Sequence, residues 1–236
     1  MYFDALTTAA MAEELQATLA SGKVQDIVLV DMLSLGLEIY AQHERQYLLL
    51  SAQPADARVQ RLTVKPRRGP ETPLPILLLL RKYVRGGRLL RVAQRDCERI
   101  LSFDLVGPEG PVTLLAEIMG RRSNLILLGP DGTIMEAIKR VTPEQSRRPV
   151  DAVAGMSPLL AQEVVFRATG EPGAEAADPA QLLAVARSLL VEMPHTHTWA
   201  PSVGLREGVV VAYAPYELTH LPERRPAPCL SAAIEE

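Results

Sequence analysis

The chain has 236 residues, 47% hydrophobic and 22% charged, the balance of a folded globular protein with room for one large domain or two small ones. Its longest apolar run, residues 74–80, contains Pro75 and falls far short of the roughly 20 residues a membrane helix needs, and Asp4, Glu13 and Glu14 stand where a secretory leader would be apolar. The net charge of −3 is unevenly spread, with −5 over residues 1–60, +8 over 61–99, balance over 100–150 and −6 over 151–236.

In chain order, the first helix is predicted over residues 7–21, capped by Thr7 or Thr8 and ended by Gly22. A strand begins at Ile27 and runs on through Leu35, Leu37 and Ile39. Gln42-His43-Glu44-Arg45 reads as a hairpin loop, and Tyr47-Leu48-Leu49-Leu50 as the returning strand. A basic, Pro-rich loop over residues 66–75 leads to a helix over 76–84, which Gly86-Gly87 stops. Short strands follow at 89–93, 100–105, 112–118, 124–128 and 134–138. Gly107-Pro108-Glu109-Gly110 and Gly129-Pro130-Asp131-Gly132 supply two of their turns. So many evenly spaced strands predict a sandwich or barrel-like β structure with flanking helices.

Residues 141–150 mark a domain boundary, after which the chain turns alanine-rich. Ser157-Pro158 opens a helix that ends at Gly170, and a second helix is predicted over 179–190. A hairpin over 202–212, a Pro-rich tail and the start of a further helix at 232–236 complete the chain, which reads as a fragment of something longer. Cys97 and Cys229 are too distant in sequence for a thiolate site, and the four histidines lack metal-ligand spacing. His195 and His197 read as part of a solvated turn. No metal or cofactor is expected.

Three stretches carry more information than composition. The first is Leu80-Arg81-Lys82-Tyr83-Val84-Arg85-Gly86-Gly87-Arg88, whose cations Arg81, Lys82, Arg85 and Arg88 are spaced so that most share one helical face, where they would meet successive phosphates. A solvated helix whose cations favour the negative end of its own dipole accounts for them equally well. The second is Cys97-Glu98-Arg99-Ile100, an acid–arginine pair opening a strand. The third is Glu117-Ile118-Met119-Gly120-Arg121-Arg122-Ser123-Asn124, a polar turn between two apolar strands. By spacing alone it is either a structural turn capped by Asn124 or a binding loop.

In this order and separation the three stretches resemble the NFACT family of ribosome quality-control factors. Supporting matches are Leu49-Leu50-Ser51-Ala52 followed by Pro54, Ala57 and Arg58, then Leu80-Arg81-Lys82, then Ile138-Lys139-Arg140-Val141. The resemblance covers residues 3–145 and continues through Gly155-Met156-Ser157-Pro158. It implies an α+β fold. Residues 1–148 would form a β-rich domain similar to that of the formamidopyrimidine-DNA glycosylases, and 149–200 a helix-hairpin-helix domain. Residues 201–236 would form a hairpin and tail leading toward a coiled coil.

The resemblance further implies binding to tRNA, alanyl-tRNA above all, and to the large ribosomal subunit carrying peptidyl-tRNA. The family supports template-free alanine tailing there, in the cytoplasm. Carried over by position, Glu98 and Arg99 match an Asp-Arg pair required for tRNA engagement. Glu117, Ile118 and Met119 match a second motif, which Gly120, Arg121 and Asn124 complete. Gly155 and Ser157 would present a helix N-terminus to phosphate, or equally well form a tight turn packing two helices, while the cations from Arg81 to Arg88 would present charge. Three departures stand out: Glu98 for the family's Asp, Arg122 for its His, and a stretch over residues 146–157 shorter than the family's Pro-rich loop and extra helix.

The cationic helix and the two acid-bearing turns are thus expected on one wall. The alternative partner is an extracellular matrix protein, fibronectin or fibrinogen, after the family's older description as adhesins. Glycosylase chemistry is not expected, because Met1 stands where that reaction needs a proline amine. The expected role is that of an RNA-binding scaffold rather than an enzyme.

Overall fold

The computed structural model describes residues 3–70, 74–95, 98–139, 157–171 and 178–235. They fall into two compact units, residues 11–151 and residues 1–10 together with 152–236. The fold is mixed α+β, built on a large antiparallel sheet with a few helices.

Helix α1 (Ala5–Leu19) is capped by Asp4 instead of Thr7 or Thr8. The Asp4 carboxylate accepts hydrogen bonds from both the backbone N–H and the hydroxyl of Thr7, at 2.9 Å each. Met11, Leu15 and Leu19 recur at helical spacing and are fully buried. Four strands follow as a meander: β1 (Lys23–Asp31), β2 (Ser34–Ala41), β3 (Glu44–Ser51) and β4 (Arg58–Leu62).

The single long strand expected from Ile27 to Ile39 is therefore two. The chain reverses at Met32-Leu33, where Asp31 Oδ1 accepts from the Leu33 N–H at 2.8 Å. An Asp side chain makes this turn without glycine or proline, so the usual punctuation is missing. Strand β4 escaped notice because only Val59 and Gln60 of its five residues are buried.

Helix α2 (Pro75–Tyr83) leads to the second meander: β5 (Arg88–Gln94), β6 (Ile100–Gly107), β7 (Gly110–Glu117), β8 (Asn124–Leu128) and β9 (Ile134–Ala137). The strand order is β4-β3-β2-β1-β5-β6-β7-β8-β9, with β4 and β9 at the edges. The two meanders meet through one strand pair, Lys23 with Arg88, supported by backbone hydrogen bonds joining Val24 to Gly86 and Gly87. Every residue from Ser34 to Ile39 is buried, so both faces of β2 are covered. Buried Glu38 in that run pairs with Lys65 at 2.6 Å, and this hydrogen bond raises the pKa of the lysine.

In the other unit, α3 (Pro158–Thr169) and α4 (Pro179–Arg187) pack together. The helix after α4 widens to i→i+5 bonding over Ser188–Glu192 before a last turn, α5 (Met193–Thr196), which His197 ends in the left-handed conformation. Strands β10 (Ser202–Arg206), β11 (Val209–Ala214) and β12 (Glu223–Pro226) form a sheet in the order β11-β10-β12, followed by α6 (Leu230–Glu235). β12 lies in the stretch expected as a Pro-rich tail; an edge strand tolerates Pro226. The core joins Leu6, Leu160, Val164, Leu189, Tyr216 and Leu218. Residues 201–236 thus share one unit with α3 and α4. Among the described residues no helix is long and apolar enough to cross a membrane, and no group of three or more His, Cys, Asp or Glu side chains is arranged to hold a metal.

Candidate nucleic-acid interface

The register of β5–β8 decides which turns meet. Gln94 pairs with Leu101, Ile100 with Glu117, and Glu117 with Asn124, so the β5–β6 and β7–β8 turns open at the same end of the sheet. They are bonded to each other, since the Ile118 N–H donates to the Arg99 carbonyl at 2.8 Å. Glu98 and Arg99 lie in a bend before β6 rather than in the strand itself. The Glu98 N–H donates to the Arg95 carbonyl at 2.8 Å, and its own carbonyl accepts from Gln94 Nε2 at 2.7 Å. Glu98 is half-buried and Arg99 exposed.

The second turn is built to be rigid. Gly120 takes φ +59°, a conformation side chains disfavour, and opens a single tight turn over Gly120–Arg122. The buried Ser123 hydroxyl accepts from the Met119 N–H at 2.7 Å. Asn124 is buried too. Its Nδ2 donates to the Lys139 carbonyl and its Oδ1 accepts from the Lys139 N–H, both at 3.0 Å. Lys139 in turn donates from Nζ to the Ala52 carbonyl at 2.6 Å, and burial lowers the pKa of its ammonium. Ala52, Asn124 and Lys139, far apart in sequence, therefore brace one loop.

Ile118 and Asn124, expected to touch tRNA, are each about 1% exposed and hold the turn from inside. What remains at the surface is Arg99, Arg121 and Arg122, with Glu98, Glu117, Met119 and Gly120 half-buried between them. The cluster presents three cations on braced backbone, a surface suited to phosphate. Ser123 and Lys139 are part of the site through this brace. Their sequence signal was only membership in the quoted stretches, because a backbone brace has no spacing signature.

The expectation that the cationic helix joins this wall is not met. Gly86 and Gly87 stop α2 so early that only Arg81 and Lys82 are helical. Arg85 lies in the turn, and Arg88 is the first residue of β5. Arg88 pairs with Val106, at the opposite end of β5 and β6 from the Glu98–Arg99 bend. Six strand residues at about 3.3 Å each put the two ends roughly 20 Å apart. Arg88 Nη1 donates to the Ser21 carbonyl at 3.0 Å, and the Lys82 ammonium lies 5.1 Å from the Tyr83 ring centre.

Ser157 is a helix cap directed inward. It is 7% exposed, its Oγ accepts from the Leu160 N–H at 3.1 Å, and the same hydroxyl donates to Asp4 Oδ2 at 2.6 Å. A carboxylate thus occupies the place where a phosphate was expected. Gly155 lies outside the described residues.

The sequence profile for NFACT N-terminal and middle domains matches residues 4–152, well over half of the chain. The chain is similar to the Rqc2 homolog RqcH of Streptococcus suis, 37% identical over 147 residues that make up 60% of this chain and 26% of that protein. The Rqc2 homolog RqcH of Bacillus subtilis is 27% identical over 94% of this chain and 46% of its own length. The chain thus spans less than half the length of these curated relatives. Two solved structures share the fold: the fibrinogen-binding protein from Staphylococcus aureus (TM-score 0.80, 22% identity, 100% of this chain and 98% of that one) and the N-terminal part of the fibronectin/fibrinogen-binding protein from Streptococcus suis (TM-score 0.72, 24% identity, 99% and 98%). By the profile match over residues 4–152, the chain belongs to the NFACT family.

Proposed function

We propose that this chain is the tRNA-engaging part of a ribosome quality-control factor. In this reading the surface of Arg99, Arg121 and Arg122 grips a tRNA phosphate backbone while Glu98 and Glu117 lie beside it. Together with segments beyond these residues, it acts on large subunits holding peptidyl-tRNA and supports template-free alanine tailing of the nascent chain. The α3–α4 pair corresponds to the family's helix-hairpin-helix segment. The role is that of a scaffold, with no bond broken by these side chains, and its setting is the cytoplasm.

The observation that carries this reading is the hydrogen bond from the Ile118 N–H to the Arg99 carbonyl, which fixes the two motif turns side by side. The relation to the RqcH proteins supports it. Filter binding of alanyl-tRNA to the wild-type chain, Arg99→Ala and Arg121→Ala tests it. A loss of about tenfold or more in each variant is expected, and unchanged affinity in both overturns the assignment.

A second reading, adhesion to fibronectin or fibrinogen, takes its support from what the two structural relatives are described as binding. Saturable capture of this chain on either immobilised protein, with no tRNA retention, would favour it.

A further inference from the structure

The unit containing β10–β12 holds a second, unrelated feature: an open cleft of about 640 Å³ between the chain leading into β10 and strand β12. Trp199, Glu217, Pro222, Arg224, Arg225 and Pro226 are among its lining residues. We propose that this cleft binds one unpaired nucleotide of single-stranded RNA, with the base on Trp199 and its phosphate at Arg225.

The volume falls within the range of small-ligand sites, and the walls are preformed. The Ala200 N–H donates to the Pro215 carbonyl at 2.9 Å, and the Ala227 N–H donates to the Pro201 carbonyl at 2.8 Å. β12 is registered on β10 with Arg225 opposite Val203. Four of the lining residues are prolines, which have no N–H to leave unpaired and little freedom to lose. Trp199 is half-buried. It packs against the core of its unit and also borders the cleft, so the indole plane is held before any ligand arrives.

Charge selects the class of ligand. Residues 151–236 carry a net −6, yet two of their five arginines line this cleft. The lining carboxylate of Glu217 accepts from Arg224 Nε at 2.9 Å, and Arg224 Nη1 also donates to the Leu221 carbonyl. Arg224 is thus fixed as a wall. Arg225, exposed on the edge strand β12, brings a second guanidinium to the same lining. A planar aromatic ligand with a phosphate uses both features, since bases stack on aromatic side chains irrespective of sequence. A proline-rich peptide would want several parallel aromatic rings, and this cleft has one.

Trp199 is the chain's only tryptophan, so its selectively excited emission reports the cleft directly. Titration with adenosine monophosphate and with hexa-adenylate is expected to quench it saturably, with hexa-adenylate the tighter. Arg225→Ala should weaken hexa-adenylate binding about fivefold and flatten its salt dependence by roughly 0.7 in log–log slope. Trp199→Phe, which keeps an aromatic face on the core, should weaken anisotropy-detected binding of a labelled hexamer about threefold, and Trp199→Ala about tenfold or more.

Circular dichroism and Tm identify any variant that fails to fold, leaving Arg225→Ala as the deciding arm. Arg99→Ala should leave the quenching of Trp199 by hexa-adenylate unchanged, so this cleft and the tRNA surface fail independently. Absence of quenching by either nucleotide at millimolar concentration, unchanged affinity in a folded Arg225→Ala, or saturable quenching by a proline-rich hexapeptide alone would each overturn the proposal.

Discussion

Asn124 holds Lys139 by both edges of its amide, donating to the lysine carbonyl and accepting from the lysine N–H at 3.0 Å each. The side chain imitates one rung of a sheet between β8 and the chain leaving β9. Asn124→Ala leaves the half-buried N–H and C=O of Lys139 without this partner. A loss of roughly 2 kcal/mol is expected, or about 4–8 °C in Tm by calorimetry. Asn124→Asp should be at least as damaging, because it sets a carboxylate against the Lys139 carbonyl. tRNA affinity should fall in both, although neither side chain reaches the surface.

The two ends of the β5–β6 hairpin should behave differently toward tRNA. Arg99→Ala and Arg121→Ala should each reduce the log–log salt slope of binding by about 1 if each cation displaces one counterion. Arg85→Ala and Arg88→Ala lie roughly 20 Å away and should shift affinity by less than about twofold at physiological salt. Retention assays across a salt series separate the two pairs.

Glu163 makes the smaller unit sensitive to acid. Its carboxylate is fully buried, which by itself favours the neutral form. Hydrogen bonds from His220, Thr219 and Arg167 outweigh that cost and hold the pKa below its ordinary value. A lowered folded-state pKa adds stability that is present above the ordinary value of 4.5 and is lost as pH falls beneath it. Trp199 fluorescence during urea unfolding should therefore show midpoints dropping below about pH 4.5. Glu163→Gln should lower stability at neutral pH by about 3 kcal/mol and flatten that acid slope.

Gly107 ends β6 directly beneath the end of α2. A Cβ there would overlap the backbone carbonyl of Tyr83, and backbone cannot swing aside as a side chain tip can. Gly107→Ala should cost about 2–3 kcal/mol, read as a reduced urea midpoint with an unchanged m-value.

Much of this architecture was legible from local chemistry. Gly107-Pro108-Glu109-Gly110 and Asp131-Gly132 announced their turns, and Ser157-Pro158 and Gly170 bracketed α3 correctly. The turn at Met32-Leu33 was not legible, since an Asp31 side chain replaces the usual glycine. Nor was β4, a sheet-edge strand of which only Val59 and Gln60 are buried and the other three residues half-buried. At the site, the neighbouring positions of Glu98–Arg99 and Glu117–Asn124 follow from strand register. The brace from Ala52 to Lys139 to Asn124 does not, because it rests on carbonyl contacts between distant segments. The displaced cations at Arg85 and Arg88 teach the complementary lesson. Charge arithmetic counted them into one patch, and two glycines sent the chain out of the helix before it reached them.

Ser157 and Asp4 are bonded across 153 positions, and the apolar side chains of Phe3 and Leu6 are buried near the chain's start. During synthesis the first ten residues emerge long before residues 152–236, with which they form a compact unit. Until residues 152–236 are made, those side chains lack the partners of their own unit. Any product cut short near residue 151 keeps those side chains uncovered, offering proteases and chaperones a handle that residues 152–236 hide.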